Sequence, residues 1–518
     1  MIPVVDIFAG PGGLGEGFSA CRKDDKFLFD IKLSIEMDEI ARRTLKLRSF
    51  IRQFPNRQPP PEYYTTLREG LAEFVLYDNP KFKKEVSAAE EEAWQATLGK
   101  TPIAEVRKRI GTALDGNKDW VLIGGPPCQA YSLVGRSRNK GNKNYVFEED
   151  HRTRLYEEYL QIIADFWPSV FVMENVKGMI SATASNKRVF EKICDDLENP
   201  ARAIRALSRE RAPSDEQFEY RLYALSHGNQ SKGDGVRPDL RDFLVRSEEH
   251  GIPQCRHRVF VVGVRSDIDI APAPLETISS KVTMWDAISD LPRIRSGFSK
   301  QKDDMYNWSL YLNQATARIS KLCDPKVRKV LKKYKYKFYF EGISRGGNYV
   351  PYNTDPQVYS SWFFDKKIEG VFNHESKAHM DSDLDRYLFV SAYGEAHETS
   401  PKLGDFPVEL LPDHKNAKNP DTEKKFVDRF KVQVKDRPST TVVSHISKDG
   451  HYYIHPEALQ CRSLTVREAA RLQTFPDNYY FCGPRTSQFH QVGNAVPPLL
   501  ACQIAERVGE VVADSVSG

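Results

Sequence analysis

The sequence predicts an α/β protein with a mostly parallel central sheet and a second, smaller domain placed before the C-terminal segment. In the first half, short apolar runs alternate with helical patterns, which is typical of a doubly wound parallel sheet. The stretch that follows is rich in Lys, Tyr, Ser and Asp and has weak periodicity, whereas helical order returns at Ser463. We therefore predict three units, residues 1–265, 266–460 and 461–518.

Apolar runs in the first unit predict its strands. The first run ends at a glycine cluster and the second at Glu36. Between the strands, apolar residues spaced like Tyr159, Ile162 and Phe166 predict helices. Residues 49–98 are polar and contain a run of prolines, so we expect an insertion with helices of its own. The predicted strands are Val4–Phe8, Lys32–Ile35, Trp120–Ile123, Val170–Met173 and Val259–Val264.

The C-terminal segment carries two helix signals. Thr465 and Glu468 have the spacing of a capping box, in which each side chain bonds the backbone N–H of the other residue. The final run places apolar residues on one stripe, as in a helix that packs against a core. That stripe consists of Leu500, Ile504, Val508, Val511 and Val512.

The composition favours a folded protein of a reducing compartment. A chain of 518 residues exceeds what one core usually holds, so two or three domains are expected. The net charge of +4 permits a nucleic-acid partner without requiring one. Eight cysteines occur without a Cys-x-x-Cys pair, which favours free thiols over disulfides or a zinc ribbon. Because neither a leader pattern nor a long apolar run is visible, we expect a soluble, cytoplasmic protein with no membrane contact.

A glycine-rich segment follows the first predicted strand, from Asp6 to Gly15. Glycines there let the backbone turn tightly and approach a ligand closely, although a plain strand-to-helix turn explains them equally well. Glu36 ends the second strand, where an acidic side chain in such folds binds ribose hydroxyls. A solvated strand end is the alternative for Glu36.

Cys128 follows the third strand in the segment Gly124-Gly-Pro-Pro-Cys-Gln-Ala-Tyr-Ser132. Most single cysteines are small buried hydrophobes. This one stands directly after two prolines at the carboxyl end of a buried strand, which is the edge at which α/β sheets bind ligands. The context therefore favours a functional cysteine.

Polar residues flank the two remaining strands. Glu174 and Asn175 follow the fourth strand, where a carboxylate needs water, a substrate or a partner. Gln254, Arg256 and Arg258 precede the fifth with alternate spacing, so we expect their side chains to face one side. Such a set could hold a carboxylate, a phosphate or a pyrimidine carbonyl, or form a solvated basic edge.

The order of these blocks resembles the DNA (cytosine-5-)methyltransferase family. The glycine loop resembles the cofactor motif of that family, and Pro-Cys-Gln resembles its nucleophile motif. The resemblance covers the two ends of the chain and implies a Rossmann-like catalytic domain with an inserted target-recognition domain. The matching segments are Asp6–Gly15, Pro127–Gln129, Glu174–Val176, Gln254–Arg258, Arg462–Pro476 and Gln491–Pro497.

The resemblance implies methyl transfer to carbon 5 of cytosine, with S-adenosylmethionine as the donor and no metal. Cys128 is implied to attack carbon 6 as a thiolate, which makes carbon 5 enamine-like and able to accept a methyl group. Glu174 is implied to contact the ring nitrogen and the exocyclic amine, and Arg258 the carbonyl. The residues implied to hold the geometry of the site are Arg256, Asn175 and Gln129.

The same resemblance implies a cofactor site around the glycine loop. Met37 stands where the family often has an aromatic residue against the adenine, and a thioether can pack there as well. The acidic residue with which the family contacts the adenine amine has no clear match near Gly99–Pro102, so none is assigned. The implied cofactor-binding residues are Phe8, Gly10, Gly12, Leu14, Glu36, Met37, Pro127, Asn494 and Val496.

The middle unit stands where the family carries its target-recognition domain. Basic residues between positions 326 and 337 are interleaved with aromatic ones, which suits contact with phosphates. A solvated helix face is the alternative. Histidines between His445 and His455 could suggest a metal site, but the β-like pattern there favours a structural role.

Alternative functions remain open at this point. We expect a monomeric enzyme that methylates double-stranded DNA near the nucleoid, either as a solitary enzyme or beside a restriction endonuclease for the same site. A transfer-RNA methyltransferase of the same family is disfavoured by the long middle unit. A non-catalytic DNA-binding relative does not need Cys128, Glu174 and Arg258 together, and a Rossmann-type oxidoreductase explains only the glycine loop. The recognised DNA sequence is not readable from the residues.

Overall fold

The computed structural model describes most of the chain and contains the predicted α/β sheet. The described residues are 1–127, 155–184, 187–207, 218–226, 237–338, 343–352, 354–412, 429–448 and 450–517.

Strands and helices alternate along the first half of the chain, as predicted. The strands are Ile2–Ile7 (β1), Arg22–Lys23 (β2), Lys26–Phe27 (β3), Phe29–Glu36 (β4), Ala93–Gln95 (β5), Val121–Gly124 (β6), Val170–Val176 (β7), Thr183–Ala184 (β8), Lys187–Arg188 (β9), Tyr220–Tyr223 (β10), Leu244–Arg246 (β11), Gln254–Cys255 (β12), His257–Arg265 (β13), Gly297–Phe298 (β14), Gly346–Pro351 (β15), Gly370–Glu375 (β16), Ala378–His379 (β17) and Ser439–Thr440 (β18).

Helices flank the sheet, and others lie in the predicted insertion, the middle unit and the C-terminal segment. The α-helices are Gly13–Ala20 (α1), Glu39–Arg52 (α2), Pro61–Arg68 (α3), Phe74–Tyr77 (α4), Lys83–Glu92 (α5), Ile103–Leu114 (α6), Leu155–Phe166 (α7), Val189–Glu198 (α8), Pro200–Leu207 (α9), Met284–Ile288 (α10), Met305–Ile319 (α11), Pro325–Tyr334 (α12), Ser360–Phe363 (α13), Asp381–His397 (α14), Val466–Leu472 (α15), Arg485–Asn494 (α16) and Pro498–Ser517 (α17).

The central sheet has the strand order β10-β13-β7-β6-β1-β4-β5, with β11 paired to β13. Strands β5, β4, β1, β6 and β7 are parallel, whereas β13 runs antiparallel to β7 and to β10. The sheet is therefore mixed but mostly parallel, which confirms the predicted fold class. Since Ile7 pairs with both Ile35 and Gly124, the carboxyl ends of three parallel strands meet at one edge.

Both faces of the sheet are covered, which explains why its strands are continuous apolar runs. Val5, Ile7 and Leu122 face one core, to which helices α6, α7 and α8 contribute. Val4 and Ile123, which alternate with them, face a second core formed with α1 and α17. The predicted apolar stripe of the last helix lies in that second core and is buried along its length.

All five predicted strands differ from the observed ones in at least one bound, and the differences in β1 and β7 bear on the site. The first strand ends at Ile7, because Phe8 has a left-handed backbone with a φ of +56° and turns the chain out of the sheet. Strand β7 continues through Val176, so Glu174 and Asn175 belong to the strand itself. Strand β5 was not predicted, and it extends the sheet beside Glu36.

The residues predicted as an insertion contain helices α3, α4 and α5 and also strand β5 of the central sheet, and they share a core with the middle unit. Tyr63 and Leu67 of α3 pack in one cluster with Phe372 of β16 and with Ile368, which precedes that strand. Further apolar clusters join α11, α12 and α14, and join α10 with the C-terminal helices. The unit boundaries at residues 265 and 460 stay a prediction. In the described part of the chain, no helix is both long and apolar enough to cross a membrane.

The capping box is confirmed at the start of α15 and belongs to a buried ionic network. The Thr465 hydroxyl accepts from the N–H of Glu468, and the Glu468 carboxylate accepts from the N–H of Thr465 at 2.8 Å. Arg462 donates two hydrogen bonds to the same carboxylate, at 2.6 and 2.7 Å, and both side chains are buried. Burial alone raises the pKa of Glu468, but Arg462 holds it well below its usual range.

We predict that Gly17→Ala lowers the free energy of unfolding by about 1–3 kcal/mol. A Cβ at Gly17 would lie 2.5 Å from the Pro498 carbonyl oxygen and 2.6 Å from the Cys502 nitrogen, so α1 and α17 must separate. The matched control is Gly111→Ala in the exposed face of α6, where the nearest atom is 3.8 Å away. That substitution should stabilise the protein by about 0.5–1 kcal/mol in the same urea titration. Equal effects at both positions would contradict the tight contact.

We also predict that Glu468→Gln destabilises the protein by about 3 kcal/mol, because Arg462 then keeps a buried charge without its partner. The folded-state pKa of Glu468 is depressed, so its stabilising contribution is present above the ordinary glutamate pKa and is lost as the pH falls through the folded value. The difference between the two proteins should therefore be full at pH 7 and shrink in acid. Glu510→Gln, in an exposed pair with Arg507, should change stability by less than about 0.5 kcal/mol.

Candidate active site at the carboxyl edge of the sheet

The carboxyl ends of the parallel strands bring the predicted site segments to one edge. Strand β1 leads to Phe8 and the glycine loop, β4 ends at Glu36, β6 leads into Gly125 and Pro127, and β7 carries Glu174. The predicted nucleophile Cys128 and its neighbour Gln129 lie outside the described residues. The structure therefore describes the walls of the site and the entry to the nucleophile segment.

The glycine loop is fastened to Glu36. The backbone N–H of Gly10 donates to Glu36 Oε2 at 2.8 Å, and the N–H of Asp38 donates to Oε1 at 2.7 Å. Burial raises the pKa of Glu36, while these two N–H groups act in the opposite direction. Gly10 has a φ of +58°, a conformation that glycine adopts without strain, and the space where a Cβ would stand is open.

The C-terminal segment, residues 461–518, packs against the other side of this loop, and we call it the return segment. A Cβ on Gly13 would collide with the carbonyl oxygen of Val496, so the two backbones touch. Tyr479 donates a hydrogen bond from its hydroxyl to the carbonyl oxygen of Pro11. Leu14 and Val496 are buried in the same apolar cluster, so their side chains fasten the loop to the return segment. Asn494 is exposed at the end of α16.

The residues around the loop fit an adenosyl cofactor. Each Glu36 oxygen keeps accepting capacity beside the open space at Gly10, which suits ribose hydroxyls. Met37 is 62% exposed and offers an apolar surface next to that carboxylate. Phe8 is partly buried against the core. The structure thus brings most of the predicted cofactor-binding residues to one place, with Leu14 and Val496 acting through packing.

Glu174 and Arg258 form an ion pair at the edge of the sheet. Arg258 Nε lies 3.0 Å from Glu174 Oε1, and the two side chains are 15% and 14% exposed. Burial lowers the pKa of Arg258, although Glu174 partly offsets this effect. A Cβ on Gly125 would lie 2.9 Å from Glu174 Oε2, so a larger residue there would displace the carboxylate. A carboxylate beside a guanidinium can bind a planar ligand edge that offers a donor and an acceptor.

Asn175 holds the segment that leads to Cys128. Its Nδ2 donates to the carbonyl oxygen of Pro126 at 3.1 Å, and its Oδ1 accepts from the N–H of Val176 at 2.8 Å. The side chain is buried and therefore fixed in place. This contact supports the positioning role that the resemblance implies for Asn175.

The alternating Gln254, Arg256 and Arg258 have separate tasks. Arg258 reaches Glu174, whereas Arg256 Nη1 donates to the carbonyl oxygens of Val442 at 2.9 Å and Gly493 at 3.2 Å. Gln254 accepts from the N–H of Val442 at 2.6 Å. Burial lowers the pKa of Arg256 well below its usual range. Arg256 and Gln254 thus fasten the returning chain behind Arg258.

Two residues that sequence reasoning did not select also shape the site. Ser247 Oγ donates to the carbonyl oxygen of Gln254 at 2.7 Å and accepts from the N–H of Arg256 at 3.0 Å. No local pattern marks that serine. Asp6 is fully buried under the glycine loop, and burial raises its pKa to about 8. Its signal was available, because it interrupts the apolar run of β1.

Comparisons with known proteins agree with this geometry. The family model for C-5 cytosine-specific DNA methylase matches residues 79–200 and 243–510. The type II methyltransferase M.Bpa9945I of Bacillus paralicheniformis is 32% identical, over 98% of this chain and 99% of that protein. The DNA (cytosine-5-)-methyltransferase M.ApeKI of Aeropyrum pernix is 28% identical, over 81% of this chain and 87% of its own length.

Among solved structures, a prophage-encoded E. coli protein assigned as a DNA modification methyltransferase has a similar fold. The TM-score is 0.51 at 18% identity, and the match covers 99% of this chain and 100% of that one. This likeness concerns the fold, while the sequence matches cover the segments that build the site. The chain therefore belongs to the C-5 cytosine-specific DNA methylase family.

Proposed function

We propose that this protein methylates carbon 5 of a cytosine flipped out of duplex DNA, with S-adenosylmethionine as donor and Cys128 as the covalent nucleophile. The observation that carries the proposal is the Glu174–Arg258 pair at the carboxyl edge of the sheet. The pair lies beside the segment that enters Cys128, at the same sheet edge as the glycine loop.

The pair suits the pairing edge of cytosine. The exocyclic amine of cytosine is a donor, and its carbonyl oxygen is an acceptor. Glu174 accepts from the amine and holds the proton at the ring nitrogen, and Arg258 donates to the carbonyl oxygen. Thymine presents an acceptor in place of the amine, so it leaves the Glu174 carboxylate without a donor. The pair therefore selects cytosine over thymine.

The chemistry divides between Cys128 and this pair. The Cys128 thiolate adds to carbon 6, and the electron pair of the ring double bond moves to carbon 5. Arg258 and the proton held by Glu174 stabilise the negative charge that builds on the ring. S-adenosylmethionine, when bound, would supply an electrophilic methyl group and leave as S-adenosylhomocysteine. Carbon 5 forms its bond to the methyl group with this electron pair. Loss of the carbon 5 proton to water then restores the double bond, and the thiolate leaves carbon 6 with the electrons of its bond.

The target base has to leave the helix to reach this edge. Extrusion costs a few kcal/mol, which contacts with the flipped base and with the DNA backbone must repay. Helix α12 could supply contacts with the DNA backbone. Its Val327 and Leu331 are buried, so the helix is packed on one side. On its other side Lys326, Lys329 and Lys332 are exposed. An exposed basic face suits phosphates, so α12 supports contact with DNA.

The names of the relatives favour a setting beside a restriction enzyme. M.Bpa9945I is called a type II methyltransferase and matches nearly the whole chain. We therefore extend the proposal to a cytoplasmic, monomeric enzyme that protects a site also cut by a partner endonuclease. Transfer RNA is the second candidate substrate, and a comparison of the label transferred to duplex DNA and to transfer RNA separates the two.

We predict that the protein transfers tritium from labelled S-adenosylmethionine to plasmid DNA, and that Cys128→Ser abolishes the transfer but keeps cofactor binding by calorimetry. The control is Cys502→Ser, a half-buried cysteine of α17 that should leave the rate unchanged. Bisulfite sequencing identifies the methylated cytosine. Label in transfer RNA and none in duplex DNA would contradict the proposal, as would full activity of Cys128→Ser.

We also predict that charge reversal at Lys326, Lys329 and Lys332 weakens DNA binding and flattens its salt dependence. The slope of log K against log salt is negative, and each lost phosphate contact reduces its magnitude by about 0.9. Reversal of Lys23, Lys108 and Lys118, which are exposed on other elements, is the matched control for net charge. Equal effects of the two triple variants in fluorescence anisotropy would contradict a DNA contact at α12 and favour the alternative of a solvated helix face.

A further inference from the structure

A strap of residues 354–369 joins the two strands of the β15–β16 hairpin and lies against the catalytic segments. Trp362 Nε1 donates to the carbonyl oxygen of Thr474 at 2.8 Å, and the N–H of Asp477 donates to the carbonyl oxygen of Phe363 at 3.0 Å. Tyr359 donates from its hydroxyl to the carbonyl oxygen of Gly251 at 2.8 Å. The strap is therefore bound at its middle to two separate parts of the sheet domain.

The Tyr359 hydroxyl occupies the space that a side chain at Gly251 would need. A Cβ on Gly251 would lie 2.5 Å from the Tyr359 hydroxyl oxygen, whereas the next atoms are at 3.7 and 3.8 Å. Gly251 has a φ of +87°, and Tyr359 itself has a left-handed φ of +51°. A non-glycine residue in that region costs free energy and persists where its surroundings impose it. The ring of Tyr359 is held against Phe363, at 6.2 Å between centroids.

The turn that Tyr359 contacts leads directly to the active-site arginines. The N–H groups of Gly251 and Ile252 both donate to the carbonyl oxygen of Ser247. Ser247 in turn bonds the backbone of Gln254 and Arg256 through its hydroxyl. An unbroken series of hydrogen bonds and chain segments thus runs from the strap to the start of β13.

That series ends at the ion pair of the site. Arg258 is the second residue of β13, and its side chain meets Glu174 on the neighbouring strand. A shift of the Ser247 turn moves the backbone of Arg256, and with it the strand that carries Arg258. Strand β13 is also paired on both sides at this point, because Arg258 lies opposite Val176 of β7 and Val245 of β11. The turn therefore acts together with these two strands in holding Arg258 beside the carboxylate.

We propose that Tyr359 is a positioning residue for the methyl transfer, holding Arg258 in register with Glu174 through the Gly251 and Ser247 turn. This inference rests on the proposed function and adds a residue outside the family motifs, on the strap of the middle unit. It ties the placement of the β15–β16 hairpin to the geometry of the base pocket. A hairpin displaced from its seat withdraws the Tyr359 hydroxyl and loosens the arginine.

The first test is Tyr359→Phe, which keeps the ring and removes the donor. Loss of one hydrogen bond that acts on the transition state should lower kcat about fivefold, with KM for DNA and Kd for S-adenosylmethionine changed less than about twofold. The matched control is Tyr306→Phe on α11, where the tyrosine is 72% exposed and kcat should not change. Rates are measured well below the melting temperature of each variant.

The second test is a double-mutant cycle with Gly251→Ala. Alone, this substitution drives a methyl group into the Tyr359 hydroxyl and should lower kcat more than Tyr359→Phe does. Removing the hydroxyl leaves the nearest atom at 3.7 Å, so the double variant should be more active than Gly251→Ala alone. Independent effects of the two substitutions would give losses that multiply.

The outcomes separate the two proposals. A parent enzyme that does not methylate DNA overturns the proposed function, and the role of Tyr359 falls with it. With an active parent, an unchanged kcat in Tyr359→Phe overturns the positioning role alone. A rise in KM for DNA at constant kcat, or a double variant less active than Gly251→Ala, overturns it as well.

Discussion

The close contact between the glycine loop and the C-terminal return is the constraint on which the site depends. Gly13 touches the backbone of Val496, and Gly17 touches the first turn of α17. Side chains larger than hydrogen at these glycines would separate the two segments and so open one side of the predicted cofactor site. Because the contact joins opposite ends of the chain, it also fixes the last helix on the sheet, where its apolar stripe completes the second core.

A second constraint acts through arginines that donate hydrogen bonds to other parts of the protein. Arg462 and Arg256 are almost completely buried, and each bonds chain segments that are distant in sequence. A guanidinium has five donors in a rigid plane, so one side chain can fasten several carbonyl or carboxylate groups at once. The cost of burying the charge is offset only while all partners stay in place. Arg256 thus joins the start of β13 to Val442 and Gly493, and Arg462 joins Ile294 to the start of α15.

The sequence predicted the parallel strands because burial on both faces leaves continuous apolar runs, and it predicted the capping box because that signal is local. Strand β5 escaped prediction, since Ala93–Gln95 is short and pairs only because β4 offers a free edge. Arg256 and Arg258 look alike in sequence, yet only Arg258 meets Glu174. Ser247 and Tyr359 carry no local signal, because their importance arises from contacts between distant segments. The role of Cys128 stays a prediction from its motif.

The packing of α1 against α17 also has a consequence for folding during translation. Helix α1 is translated long before the residues of α17 that cover its apolar side. At about 5–20 residues per second, the nascent chain exposes that side for on the order of a minute. During that interval the apolar side of α1 is open to non-native contacts. The glycine loop obtains its contacts with Val496 and α17 only after those residues have been translated.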